Sequence, residues 1–97
     1  MKILQDLLQH MEYIRVIGKP DQMVTDITAD SREVRGGSLF VCLHGAHVDG
    51  HNFARMAAER GAAVIVAERD VDISGNTTVV YVQDTRKAME EVTPYFF

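Results

Sequence analysis

Leu39-Phe40-Val41-Cys42-Leu43 and, further along, Ala62-Ala63-Val64-Ile65-Val66-Ala67 are two uninterrupted apolar runs. A strand with one face in water alternates apolar and polar side chains, whereas a strand covered on both faces reads as continuous hydrophobicity. The second pattern belongs to parallel sheets with helices on each side. Between the runs, His51–Arg60 reads as a helix with Phe53, Met56 and Ala57 on one face, and Gly61 is placed to stop it in a left-handed conformation. Strand, helix, strand is a βαβ unit. Downstream, Thr77–Val82 reads as a further strand after a Ser74-Gly75-Asn76 turn. Asp84 is the expected N-cap of a last helix carrying Ala88, Met89 and Val92, which Pro94 is expected to interrupt near its end. Upstream, Ile3, Leu4, Leu7, Leu8 and Met11 recur at helical spacing, so Met1–Met11 opens as a short amphipathic helix. Tyr13–Ile17 reads as a short strand ended by Gly18-Lys19-Pro20-Asp21, and Val24–Ala29 as a strand diluted by Thr25, Asp26 and Thr28. The expected fold is α/β: a small, mostly parallel sheet of about four to five strands, an ordinary sheet size, flanked by helices.

Composition narrows the function classes. The chain has 97 residues, 46% hydrophobic and 25% charged, which is the composition of a folded domain and argues against disorder. Residues 1–97 are expected to form a single domain. Ten Lys and Arg against fourteen Asp and Glu leave a net charge of −4, which argues against a nucleic-acid partner, since such a protein meets phosphates with a basic stripe. No apolar run approaches the roughly 20 residues that span a bilayer, and Met1–Met11 lacks a signal-peptide core. The single cysteine, Cys42, lies within an apolar run, so a reducing, cytoplasmic location is expected and Cys42 reads as packing. The terminal Tyr95-Phe96-Phe97 would form an exposed apolar patch unless it folds back or further chain covers it; the second option is the expectation here.

Chemistry concentrates in two segments, Thr28-Ala29-Asp30-Ser31-Arg32-Glu33-Val34 and His44-Gly45-Ala46-His47-Val48-Asp49-Gly50-His51. The second leaves the carboxyl end of a buried strand and enters a helix, where open α/β sheets place their ligands. Gly45 and Gly50 would let the backbone approach a ligand or take a positive φ. Asp49 is the expected helix N-cap, and its carboxylate would occupy the place a phosphate wants, so the loop suits a base or ribose better. An ordinary capped loop is the plain alternative. Asp30-Ser31-Arg32 can hydrogen-bond a polar ligand, or can be a turn in which Asp30 pairs with Arg32. His44, His47 and His51 have the chemistry of metal ligands but not the spacing of a helical pair, and no metal site is expected. There is no G-x-x-x-x-G-K-[ST] for a nucleoside triphosphate and no G-x-G-x-x-G dinucleotide fingerprint. With no catalytic constellation of its own, the chain reads as a binding module; a free-standing interaction module is an alternative.

Asp30-Ser31-Arg32-Glu33-Val34, then Gly37-Ser38-Leu39-Phe40-Val41, Gly45, Asp49-Gly50-His51 with Phe53, and Gly61-Ala62 together resemble the N-terminal domain of the Mur ligases. These are ATP-dependent amide ligases that build the peptide stem of peptidoglycan, and their first domain is Rossmann-like. Within the family, Val41–His51 is most similar to the branch that adds the third residue, meso-diaminopimelate or L-lysine, to UDP-N-acetylmuramoyl-L-alanyl-D-glutamate. The branch that adds D-alanyl-D-alanine is the runner-up. The resemblance implies that this domain holds the UDP end of the substrate, with Ser31 and the backbone at Ala29 on the nucleotide sugar and Ala46, His47 and Val48 around uridine. It implies no catalytic residue and no cofactor here. ATP and Mg2+ would belong to the intact enzyme, whose central and C-terminal domains would lie beyond Phe97 and be the other partners of this one.

Overall fold

The computed structural model describes residues 1–73 and 75–96. In chain order its elements are β1 (Lys2–Ile3), α1 (Leu4–Leu7), β2 (Arg15–Ile17), β3 (Met23–Val24), β4 (Asp26–Thr28), β5 (Ser38–Val41), α2 (Ala54–Glu59), β6 (Val64–Ala67), β7 (Thr78–Tyr81) and α3 (Thr85–Phe96). Tight 3-10 turns occupy Leu8–His10, Ser31–Glu33 and Gly50–Phe53. The main sheet has five strands in the order β2-β7-β6-β5-β4. Strands β4 to β7 are parallel, with Thr28 opposite Phe40, Val41 opposite Val66 and Ala67 opposite Tyr81, while β2 closes one edge antiparallel to β7. The expected mostly parallel sheet flanked by helices is the fold observed.

Every residue of β5, β6 and β7 is buried, as their apolar runs demand. Side chains alternate between two cores. Leu39, Val41, Val64, Val66, Val80 and Val82 face α1 and α3, meeting Leu4, Leu7, Val92 and Phe96. Phe40, Cys42, Ile65, Ala67, Val79 and Tyr81 face the other way, onto Ala54 and Ala57 of α2 and onto Val34. The strands are the middle layer of three, which is why they carry no polar alternation.

Several elements differ from their sequence reading. The opening helix begins only after β1 and tightens into the 3-10 turn at Leu8–His10. The stretch Val24–Ala29 is not one strand: β3 pairs with β1 in a separate two-stranded sheet, and β4 joins the main one. Thr25 makes the break, its N–H turned to the Gly37 carbonyl at 2.9 Å. Of the expected inward face Phe53 and Ala57 do pack on the core, but Met56 is 39% exposed and Ala54 takes its place. The 3-10 turn at Gly50–Phe53 uses three residues per turn, so the inward face of α2 is shifted from that of an unbroken helix. Pro94 does not interrupt α3, which runs through it to Phe96. Glu90 and Pro94 are both exposed residues, so the proline and the residue whose carbonyl loses its donor lie on the helix side away from the core. Phe96 is buried in the core, and Tyr95 stacks on His10 with ring centroids 3.6 Å apart. Ser74 of the expected turn, and Phe97, lie outside the described residues. Among the described residues no helix is long and apolar enough to cross a membrane.

Candidate functional site

Because β4, β5 and β6 are adjacent and parallel, the chain leaves all three at one edge of the sheet. Ala29 and Ser31 follow β4, the 44–49 turn follows β5, and Glu68 and Arg69 follow β6. The two segments singled out in the sequence are therefore neighbours in strand order, and a third, Glu68-Arg69, stands beside them.

The 44–49 turn is a miniature hairpin. His44 bridges Asp49 antiparallel, the Gly45 N–H donates to the Val48 carbonyl at 2.8 Å, and the Gly50 N–H donates to the Leu43 carbonyl at 2.6 Å. A Cβ on Gly50 would stand 2.8 Å from the Leu43 carbonyl oxygen and 3.0 Å from the Cys42 Cα. A side chain therefore has no room at Gly50 against the turn's own strand, and the expected positive φ is found at neither Gly45 nor Gly50. Ala46, His47 and Val48 form the tip and are exposed.

Asp49 is the cap expected of it: its Oδ1 accepts the His51 backbone N–H at 2.9 Å and the His51 ring Nδ1 at 2.8 Å, while its Oδ2 meets Arg69 Nη2 at 2.6 Å. These donors, the His51 N–H first, hold its carboxyl well below the usual carboxylate range. The His51 ring is buried, and its Nε2 accepts the Glu68 N–H at 2.8 Å, which fixes the proton on Nδ1. Both nitrogens of His51 are thereby used within the protein. Among the described residues no group of three His, Cys, Asp or Glu is arranged to hold a metal ion.

Glu68 ties three elements together. Its Oε2 accepts the Thr85 N–H at 2.8 Å and the Thr85 hydroxyl at 3.1 Å, and its Oε1 lies 3.2 Å from His44 Nε2. Partial burial works against the charged form, but the Thr85 donors and His44 outweigh it and its pKa is lowered.

On the β4 side, Asp30 accepts the Arg32 N–H at 2.9 Å and grips the Arg32 guanidinium at 3.0 and 2.8 Å, which holds its carboxyl at about 2. The plain reading of that tripeptide, Asp30 paired with Arg32, is what forms. Arg60 Nη1 donates to the Ser31 carbonyl at 2.8 Å, while the Ser31 hydroxyl has no protein partner among the described residues. Cys42 is buried in the core that faces α2, and burial raises its thiol pKa to about 12, which disfavours the reactive thiolate.

A cavity of about 600 Å³ opens at the same sheet edge, over the ends of β5, β6 and β7, lined among others by His44, Glu68, Thr85 and Arg86. None of Ala29, Ser31, Ala46, His47 or Val48 lines it. The helix starts at this edge are occupied by carboxylates: Asp49 before α2, and Asp84 and Glu68 at α3, where Lys87 N–H reaches Asp84 at 3.1 Å. Like charge there disfavours phosphate. With no phosphate-binding loop either, this segment does not fit ATP with Mg2+. Glu68 and Arg69 escaped the sequence reading, since two charges after an apolar run look like any strand exit until their partners are known.

A family model described as "Mur ligase family, catalytic domain" matches residues 23–95. A UDP-N-acetylmuramoyl-L-alanyl-D-glutamate--2,6-diaminopimelate ligase of Bacillus licheniformis is 49% identical over 80 residues, 82% of this chain and 16% of that protein. The protein of the same name from Bacillus cereus is 43% identical over 94 residues, 97% of this chain and 19% of that protein. Among solved structures, a crystal structure of MurF from Acinetobacter baumannii superposes with a TM-score of 0.76 at 29% identity, over 95% of this chain and 20% of that one. The chain thus spans less than a fifth of the length of these two curated relatives.

Proposed function

The chain belongs to the Mur ligase family, and from that premise we propose that residues 1–97 are the N-terminal, substrate-holding domain of an ATP-dependent ligase. The reaction of the intact enzyme is addition of meso-diaminopimelate or L-lysine to UDP-N-acetylmuramoyl-L-alanyl-D-glutamate in peptidoglycan synthesis, in the cytoplasm. The parts that bind ATP and Mg2+ lie beyond residue 97. In this reading the domain grips the UDP end: the Ser31 hydroxyl and the Ala29 backbone hydrogen-bond the nucleotide sugar, and Ala46, His47 and Val48 enclose the uracil. Its contribution to catalysis is positioning. Binding energy from a remote part of the substrate orients the reacting carboxylate elsewhere.

The observation that carries the reading is the 49% identity to a diaminopimelate ligase across 82% of the chain. The common exit of β4 and β5 supports it, since a single nucleotide needs both segments on one edge. The runner-up is the D-alanyl-D-alanine-adding ligase, favoured by the likeness to MurF. Titration calorimetry of this chain with UDP-N-acetylmuramoyl-L-alanyl-D-glutamate is expected to show weak binding that disappears when Ser31→Ala and His47→Ala are combined. Heat unchanged in the double variant refutes the site. In a polypeptide extending past residue 97, ATP consumption dependent on diaminopimelate or lysine separates the first reading from one dependent on D-alanyl-D-alanine.

A further inference from the structure

The tip of the 44–49 turn is exposed and makes no core contact, yet its base is tied down on several sides. Its own hydrogen bonds, from Gly45 to Val48 and from Gly50 to Leu43, close the hairpin but do not set its angle to the sheet. The ties that reach outside it run to the two residues after β6. Arg69 holds Asp49 at 2.6 Å, Glu68 holds His44 at 3.2 Å, and the Glu68 N–H holds His51, whose ring in turn holds Asp49. His44 and Asp49 are the two ends of the turn and are bridged to one another. Both ends are therefore gripped by the two consecutive residues that follow β6, Asp49 through an ion pair with Arg69 and His44 through a ring contact with Glu68.

We propose that Glu68, Arg69 and His51 are positioning residues that clamp the 44–49 turn to the end of β6, and that nucleotide affinity depends on the clamp. The ligand half rests on the proposed function; the clamp itself does not. Loss of the Arg69–Asp49 tie leaves that end of the turn held by His51 and by its bridge to His44, without touching the buried sheet, so the loss falls on the tip's order and not on global stability. Lysine, a point charge without the planar fork, recovers part of the effect.

Two measurements on the same variants separate the halves. The first is amide hydrogen exchange at Gly45 and Gly50, with the tautomer of His51 read by nitrogen NMR. Arg69→Ala is expected to speed Gly45 exchange about tenfold or more while the melting temperature stays within a few degrees, with Arg69→Lys intermediate. Glu68→Gln combined with Arg69→Ala is expected to speed it further. Exchange at Gly45 and Gly50 unchanged in that double variant overturns the clamp. The second is calorimetry with UDP-N-acetylmuramoyl-L-alanyl-D-glutamate. Arg69→Ala is expected to weaken binding about tenfold, with Arg69→Lys recovering part of it. Faster exchange with unaltered affinity overturns the link between clamp and ligand. Protected glycines in a wild-type chain that binds no nucleotide refute the proposed function and the ligand half together, while the clamp stands.

Discussion

Asp49 shows how much one carboxylate can organise. It caps the turn into α2, fixes the ring of a buried histidine and receives Arg69. Its folded-state pKa is depressed, so its stabilisation is complete above the ordinary aspartate pKa of about 3.9 and is lost only as pH falls through the lower folded value. Carbon NMR of the carboxyl groups should therefore find Asp49 still ionised at about pH 3, where an unperturbed aspartate is mostly protonated. Asp49→Ala removes the cap and should cost about 1–2 kcal/mol by urea unfolding, within the range for a lost N-cap. Cys42 gives an opposite test. With its thiol pushed up to about 12 and its side chain buried, a disulfide reagent at about pH 8 should label it only at the rate of unfolding, because the thiolate is the nucleophile. Rapid labelling of the native protein would mean that the β5 exit opens locally.

At the scale of elements, the turns are held by backbone that only glycine can supply. Gly61 ends the helical segment at φ +102°, and a Cβ there would come within 3.1 Å of the Gly36 Cα. Gly61→Ala should cost about 1–2 kcal/mol for the backbone conformation alone, measured by urea unfolding. Gly50 has ordinary φ but no room, since its Cβ would meet main-chain atoms of Leu43 that cannot rotate away. Gly50→Ala should cost more than Gly61→Ala and should also shift the amide resonances of residues 44–49. The helix α3 makes the complementary point. Its start was readable from Asp84, whose side chain caps Lys87. Its continuation through Pro94 was not, because a proline's cost depends on whether the carbonyl it orphans reaches water.

For the whole molecule, the two cores on opposite faces of one thin sheet make each central side chain costly to lose. Phe40, 1% exposed between β4 and β6 and facing α2, is the test: Phe40→Ala should cost about 3–5 kcal/mol by urea unfolding. Against a typical total of 5–15 kcal/mol, that is a large share for one residue. The candidate site lies on the rim of this sheet, where exits from β4, β5 and β6 converge, so its order depends on both cores while its tip touches neither.

The alternation-free runs at 39–43 and 62–67, the glycine after the intervening helix and the caps at Asp49 and Asp84 were legible from sequence because each acts on its own neighbours. They determined a parallel, doubly covered sheet and drew attention to the turn after β5. Which strands adjoin, where the diluted stretch at 24–29 divides, and that Phe96 returns to the core were decided by tertiary structure. So were the ties from Glu68 and Arg69 to His44 and Asp49, which join residues well separated along the chain. Periodicity and capping are local and leave a mark on adjacent residues. An ion pair across strands becomes visible only when the fold has brought its two halves within a few ångströms.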